Sequence, residues 1–147
     1  MEMMKKTLIL VAEDDPDDRM LIQKAFTKVC EGGELIYVEN GEELIKYLRR
    51  EAPYSDEDKF PRPQLVLLDL NMPKKDGREA LKEIKGDKTL CKIPVIILTT
   101  SKHPDDIDYM YRLGSNSYIT KPSSFDGLLD LAREFRKYWL HTVELPA

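Results

Sequence analysis

Four short stretches carry side chains able to handle an oxygen-rich, charged group: Glu13-Asp14-Asp15, Asp69-Leu70-Asn71, Thr99-Thr100 and Lys121-Pro122. Carboxylates gathered in one place repel each other, and protonation or a cation must relieve that repulsion. Oxygen donors suit a hard divalent cation. Magnesium in particular takes one or two carboxylates, keeps several waters and shares its remaining positions with a phosphate. An ammonium beside such a pocket, here Lys121, suits a phosphoryl group, which brings further negative charge. Phosphoryl transfer asks mostly for positioning and charge neutralisation. A carboxylate can then serve as nucleophile, with the Thr99 hydroxyl as a donor. Zinc chemistry lacks its ligands: the two histidines, His103 and His141, stand far apart and read as surface residues, and the two cysteines, Cys30 and Cys91, form no framework.

Each stretch ends a run that predicts a strand. Leu8–Ala12 precedes Glu13, Gln64–Asp69 contains Asp69, Pro94–Leu98 precedes Thr99, and Ser117–Thr120 precedes Lys121. The apolar runs show no polar alternation, as strands buried on both faces require. Leu35–Val38 is a further strand, followed by a turn at Asn40-Gly41. Between the strands, apolar residues recur at helical spacing. The first helix, with Met20, Leu21, Ile22, Ala25, Phe26 and Val29, opens at Asp15-Pro16 and stops at Gly32-Gly33. Leu44, Ile45 and Leu48 mark the second, and Ala80, Leu81 and Ile84 the third. The fourth carries Ile107, Met110, Tyr111 and Leu113 and closes at Gly114, and the fifth runs from about Phe125 to His141. Residues 51–63, with three prolines and several acids, predict a surface loop. Five strand–helix pairs imply an α/β fold: a doubly wound, five-stranded parallel sheet with helices on both faces. In such a sheet ligands bind beyond the carboxyl ends of the strands, where all four stretches fall.

The 147 residues suit one domain, expected over 1–147 with a core at about 6–141 and no effector domain. Apolar residues make up 41% and charged residues 34%, within the range of soluble globular chains. No apolar run approaches the ~20 residues of a membrane span. The short apolar stretch near the N-terminus runs straight into acids, so no signal peptide is expected. Few cysteines fit a reducing cytoplasm. The net charge of −4 argues against a nucleic-acid partner. Lys74–Lys75 and Arg133, Arg136 and Lys137 read as solvated basic faces.

Singly, each functional stretch has a plain structural reading: an acidic pair caps a helix, a strand-end Thr sits in a turn, Lys-Pro makes a loop. Their ordered appearance at successive strand ends resembles the receiver domains of two-component response regulators. The matching segments are Ile9–Pro16 (ILVAEDDP), Val66–Gly77 (VLLDLNMPKKDG), Pro94–Thr99 (PVIILT) and Tyr118–Pro122 (YITKP). The resemblance implies the flavodoxin-like, (βα)5 receiver fold and a magnesium-dependent phospho-acceptor, Asp69, charged by a histidine kinase. Asp14 then matches a direct metal ligand, Glu13 a ligand through water, and Asn71 the residue whose backbone carbonyl completes the metal site. Thr99 and Lys121 match the residues that bond the phosphoryl oxygens. Tyr118 matches the aromatic that turns inward when Thr99 moves. The Lys121–Pro122 bond is expected to be cis, as is common in this family. Such a chain is a signalling protein rather than an enzyme, with catalysis confined to its own phosphorylation and dephosphorylation.

The acidic, proline-bearing insert at residues 51–63 further resembles stand-alone regulators that partner bacterial phytochromes, which often form homodimers. A dimer through the helix 4–strand 5–helix 5 face is therefore expected, with Met110, Tyr111, Phe135, Tyr138 and Trp139 as contacts. Three other readings fit less well. A phosphatase with an aspartyl-phosphate intermediate resembles a pattern with an acid two residues after the nucleophile, where this chain has Asn71. A partner-binding receiver that has lost its chemistry would lack a key residue. A flavin electron carrier needs a Ser/Thr/Gly phosphate loop after the first strand.

Overall fold

Aliphatic runs form the strands β1 (Thr7–Ala12), β2 (Gly33–Val38), β3 (Leu65–Leu68), β4 (Val95–Thr99) and β5 (Ser117–Thr120). They alternate with helices α1 (Pro16–Val29), α2 (Gly41–Leu48), α3 (Gly77–Gly86), α4 (Pro104–Leu113) and α5 (Phe125–Phe135). The computed structural model describes residues 6–29 and 31–146, so Cys30 lies outside the described residues. The strands form one parallel sheet in the order β2-β1-β3-β4-β5.

Side chains of a strand alternate between faces, and here they build two apolar layers. Ile9, Val11, Leu65, Leu67, Ile96 and Leu98 join Ile22, Phe26, Leu128 and Phe135 on the α1/α5 side. Leu10, Ala12, Val66, Leu68, Val95 and Ile97 join Leu44, Leu81, Ile84 and Met110 on the α2–α4 side. All of β3 and β4 is buried. Burying one such side chain is worth about 1.5–3 kcal/mol, so the sheet centre holds the strand ends firmly.

Helix starts are capped by short side chains, as the sequence suggests. Asp15 Oδ1 accepts from the Asp17 N–H at 2.8 Å, Asn40 Oδ1 from Glu43, Asp76 Oδ1 from Glu79 and Ser124 Oγ from Gly127. Gly114 ends α4 at φ +106°, a left-handed conformation that glycine adopts without strain.

Three details depart from expectation. Residues 136–142 do not continue α5 but widen into a π-helical segment (Arg136–Thr142). There the Thr142 hydroxyl donates to the Lys137 carbonyl at 2.7 Å and the Val143 N–H to the Tyr138 carbonyl at 3.0 Å. The wider turn lets Trp139 and Leu140 pack on the α1/α5 layer while Tyr138 is 54% exposed. A short 3-10 turn, Leu90–Lys92, precedes β4. The Lys121–Pro122 bond is trans, and the cis bond among the described residues is Ala52–Pro53. The loop at 51–63 lies on the surface but is pinned to α2. Tyr54 donates to Glu43 Oε2 at 2.7 Å and Tyr47 to the Pro61 carbonyl at 2.8 Å. The Tyr47, Tyr54 and Phe60 rings pack within 5.0–5.9 Å of one another.

Candidate functional site

Parallel pairing carries on past the strands and sets the register of the site. The Glu13 N–H donates to the Val38 carbonyl at 3.1 Å, Asp69 N–H to Ala12 at 3.2 Å and Lys121 N–H to Thr99 at 2.7 Å. Glu13, Asp69 and Lys121 are thereby lined up along one edge of the sheet, at the ends of β1, β3 and β5. The loop after Asp69 folds back tightly: the Gly77 N–H donates to the Leu70 carbonyl at 2.9 Å. A Cβ at Gly77 would run into the Asp69 carbonyl and Leu70 Cα, so this close approach needs glycine. Lys74 in the same loop sits at φ +65°, a conformation that costs a non-glycine residue energy.

Glu13, Asp14 and Asp69 each offer a carboxylate oxygen, all within 4.8 Å of one another. Glu13 and Asp69 are buried, whereas Asp14 is exposed. Asn71 lies in the exposed loop two residues past Asp69. Oxygen donors this close repel as anions, and a divalent cation with oxygen ligands fits the set.

Lys121 is the counter-charge. Its ammonium donates to Glu13 Oε1, to Asp18 Oδ2 at 2.8 Å and to Asp69 Oδ2 at 3.3 Å. Burial would lower its affinity for the proton, but the bonds to Asp18 and Glu13 and the Asp69 charge outweigh burial and raise it. Glu13 is raised as well, which for a carboxylate favours the neutral form. Burial pushes it up to about 7, with the Asp69 charge adding and the Lys121 bond opposing.

Thr99 is fully buried and its hydroxyl has no partner. Buried hydroxyls are nearly always satisfied, so this one is free to donate to a group that arrives at the sheet edge. Leu68 pairs with Ile97, which puts Thr99 two residues further along the neighbouring strand, on the same edge as Asp69.

Tyr118 is half-buried against the α2–α4 layer, and its hydroxyl donates to the Ser101 carbonyl at 2.9 Å. The Ser101 hydroxyl donates to Asp106 Oδ2 at 2.7 Å, and Arg78 Nη2 donates to Asp106 Oδ1 at 2.7 Å. These two bonds hold the Asp106 carboxyl below its ordinary value, Arg78 having the larger effect. A continuous polar chain thus runs from α3 through the β4–α4 loop to Tyr118.

Asp18, Arg78, Ser101 and Asp106 escaped the sequence reading. Asp18 carried a faint signal: an acid at the third position of α1, one turn from Glu13, where a helix dipole explanation sufficed. Arg78 and Asp106 belong to different helices and had none. His103 caps α4 through Nδ1 and Cys91 is an exposed free thiol; neither joins the site.

Comparison with known proteins agrees with this geometry. The response regulator receiver domain family matches residues 9–133. Response regulator Rcp1 of Synechocystis sp. is 41% identical over 95% of this chain and 93% of its own length. The structure of the phosphorylated cyanobacterial phytochrome response regulator RcpA superposes with a TM-score of 0.89 at 43% identity, covering 97% of this chain and 99% of that one. The Mn2+-bound form of Rcp1 gives 0.86 at 40% identity, covering 96% and 99%. With a buried aspartate between an acidic pair and a lysine at the ends of parallel strands, and with these relatives along nearly its whole length, the chain belongs to the response regulator receiver domains of two-component signalling.

Proposed function

We propose that Asp69 is the phospho-acceptor and that the phosphoryl group comes from a histidine kinase of the phytochrome-associated type. The observation that carries this reading is the setting of Asp69: buried, bonded to Lys121, and on the same sheet edge as the unpartnered Thr99 hydroxyl. An Asp69 carboxylate oxygen attacks phosphorus, the bond to the donor's imidazole nitrogen breaks, and that nitrogen keeps the electron pair. Lys121 and the Thr99 hydroxyl donate to the phosphoryl oxygens, which exchange solvent for fixed donors. Asp14, Asp69, the Asn71 carbonyl and, through water, Glu13 would hold magnesium, which would supply the positive charge that lets two anions meet.

The switch runs through Thr99 and Tyr118. A phosphoryl group that draws in the Thr99 hydroxyl vacates space into which Tyr118 turns, a population shift between two states that the group binds unequally. Catalysis is confined to the protein's own phosphorylation and dephosphorylation. The site of action is the cytoplasm, in line with the finding that no described helix is long and apolar enough to cross a membrane. The net charge of −4 favours a protein over a nucleic acid as reader. A second copy is the reader that the surface suits: Tyr111 on α4 is 49% exposed and Tyr138 beyond α5 is 54% exposed, and aromatic residues are common interface anchors, whereas Met110 and Phe135, expected beside them, are buried in the core.

Mass spectrometry after acetyl phosphate and magnesium treatment tests the acceptor. Wild type is expected to gain one phosphoryl group and Asp69→Asn none. Equal gains in both proteins would reject the assignment.

A further inference from the structure

Lys121 has three protons to donate, and the structure uses all three: Glu13, Asp18 and Asp69 each accept one. A phosphoryl group on Asp69 brings new acceptor oxygens that Lys121 can reach only by giving up a bond. We propose that the bond given up is the one to Asp18, which makes Asp18 a positioning residue: it holds the Lys121 ammonium until a phosphoryl group displaces it, and so sets how tightly that group is held.

The three acceptors are not equally able to let go. The Glu13 side chain is 3% exposed, so water cannot replace the ammonium there and separation would leave a buried acceptor without a partner. Asp69 is the residue that carries the group. The Asp18 side chain is 35% exposed, so water can take over its oxygen at small cost. The local fold explains why a carboxylate stands there. Pro16 begins α1 and Asp15 Oδ1 caps the N–H groups of Asp17 and Asp18, which fixes the first turn beside the end of β1. The Arg19 guanidinium, bonded to the Glu13 carbonyl at 3.1 Å, ties the same turn to the strand end. Asp18 Oδ2 lies closer to the ammonium, at 2.8 Å, than Asp69 Oδ2 at 3.3 Å.

This inference rests on Asp69 being the acceptor, and the test separates the two. Beryllofluoride, a phosphoryl mimic, is titrated calorimetrically with magnesium into wild type, Asp18→Asn and Asp17→Asn. Asp17 is an exposed acid on the same turn that is not bonded to Lys121. It reports the effect of lost charge alone. Asp18→Asn is expected to bind about fivefold more tightly, the upper end of what a part-exposed ion pair withholds. Asp17→Asn is expected to change less than about twofold. A second readout needs no ligand. In metal-free protein the NMR signals of the Lys121 terminal methylene move in Asp18→Asn and stay in place in Asp17→Asn. Failure of wild type to bind beryllofluoride would overturn the acceptor assignment and this inference with it. Binding to wild type with unchanged or weaker affinity in Asp18→Asn, or with equal tightening in Asp17→Asn, would overturn the role of Asp18 alone.

Discussion

Replacing Lys121 by methionine keeps most of the side-chain volume and removes the charge. In metal-free protein the consequence falls mainly on Glu13, whose buried carboxylate loses its ammonium partner. Leaving one member of a buried pair charged and alone costs about 3–5 kcal/mol. Glu13 can avoid that by keeping a proton, and burial already raises its carboxyl from 4.5 to about 7. The folded protein therefore binds more protons than the unfolded chain between these values. Wild-type stability falls as pH rises through that window and then levels off. Below about 7 Glu13 is already protonated, and losing the Lys121 charge matters little to it. Above that, the variant must hold a proton that wild type releases, at about 1.4 kcal/mol per pH unit. The bonds to Asp18 and Asp69 add about 1 kcal/mol at any pH in this range. Lys121→Met should thus be less stable than wild type by about 1 kcal/mol near pH 6 and about 4 kcal/mol near pH 9. Urea unfolding followed by far-UV circular dichroism in EDTA measures both. Equal losses at the two pH values would show that packing, not charge, is what Lys121 supplies, and would refute the reasoning.

Three further outcomes are expected. Thr99→Val removes a buried hydroxyl that has no partner, so it should stabilise the protein by about 1 kcal/mol while weakening beryllofluoride binding about tenfold; thermal melts and calorimetry read the two effects. Gly77→Ala puts a methyl group against the Asp69 carbonyl and should cost about 2 kcal/mol and abolish acetyl-phosphate labelling of Asp69, whereas preserved labelling would show that the loop yields freely. Beryllofluoride should shift wild type toward a dimer in analytical ultracentrifugation, and Tyr138→Ala should lessen that shift; a strict monomer with and without the mimic would point to a different protein as the reader.

The parts of this molecule that depend on local pattern could be read in advance. Leu65–Leu68 and Val95–Thr99 are buried runs whose ends the sheet must bring together, so the meeting of Glu13, Asp14, Asp69 and Lys121 follows from strand order alone. Features that depend on contacts between distant elements could not. The periodicity of Leu128, Leu131, Phe135 and Trp139 suits a continuous helix through His141, and the widened turn shows only in the Val143 N–H bonding back to the Tyr138 carbonyl and the Thr142 hydroxyl to Lys137. Arg78 meets Asp106 across two helices, and Asp18 reaches Lys121 across 103 residues of chain. The trans Lys121–Pro122 bond departs from an expectation drawn from resemblance, not from any local pattern.

The π-helical segment decides what light can report about this protein. Trp139, the sole tryptophan, sits in that segment, against Phe135 at 6.5 Å and on the α1/α5 side of the sheet. Tyr118 and the Arg78–Asp106 pair face the other layer. Intrinsic tryptophan emission is therefore a one-sided probe, sensitive to release of the C-terminal turn and to any partner that covers Tyr138. If the two layers open as separate cooperative units, emission and circular dichroism will trace different unfolding midpoints, and only coincident curves justify a single free energy for the domain.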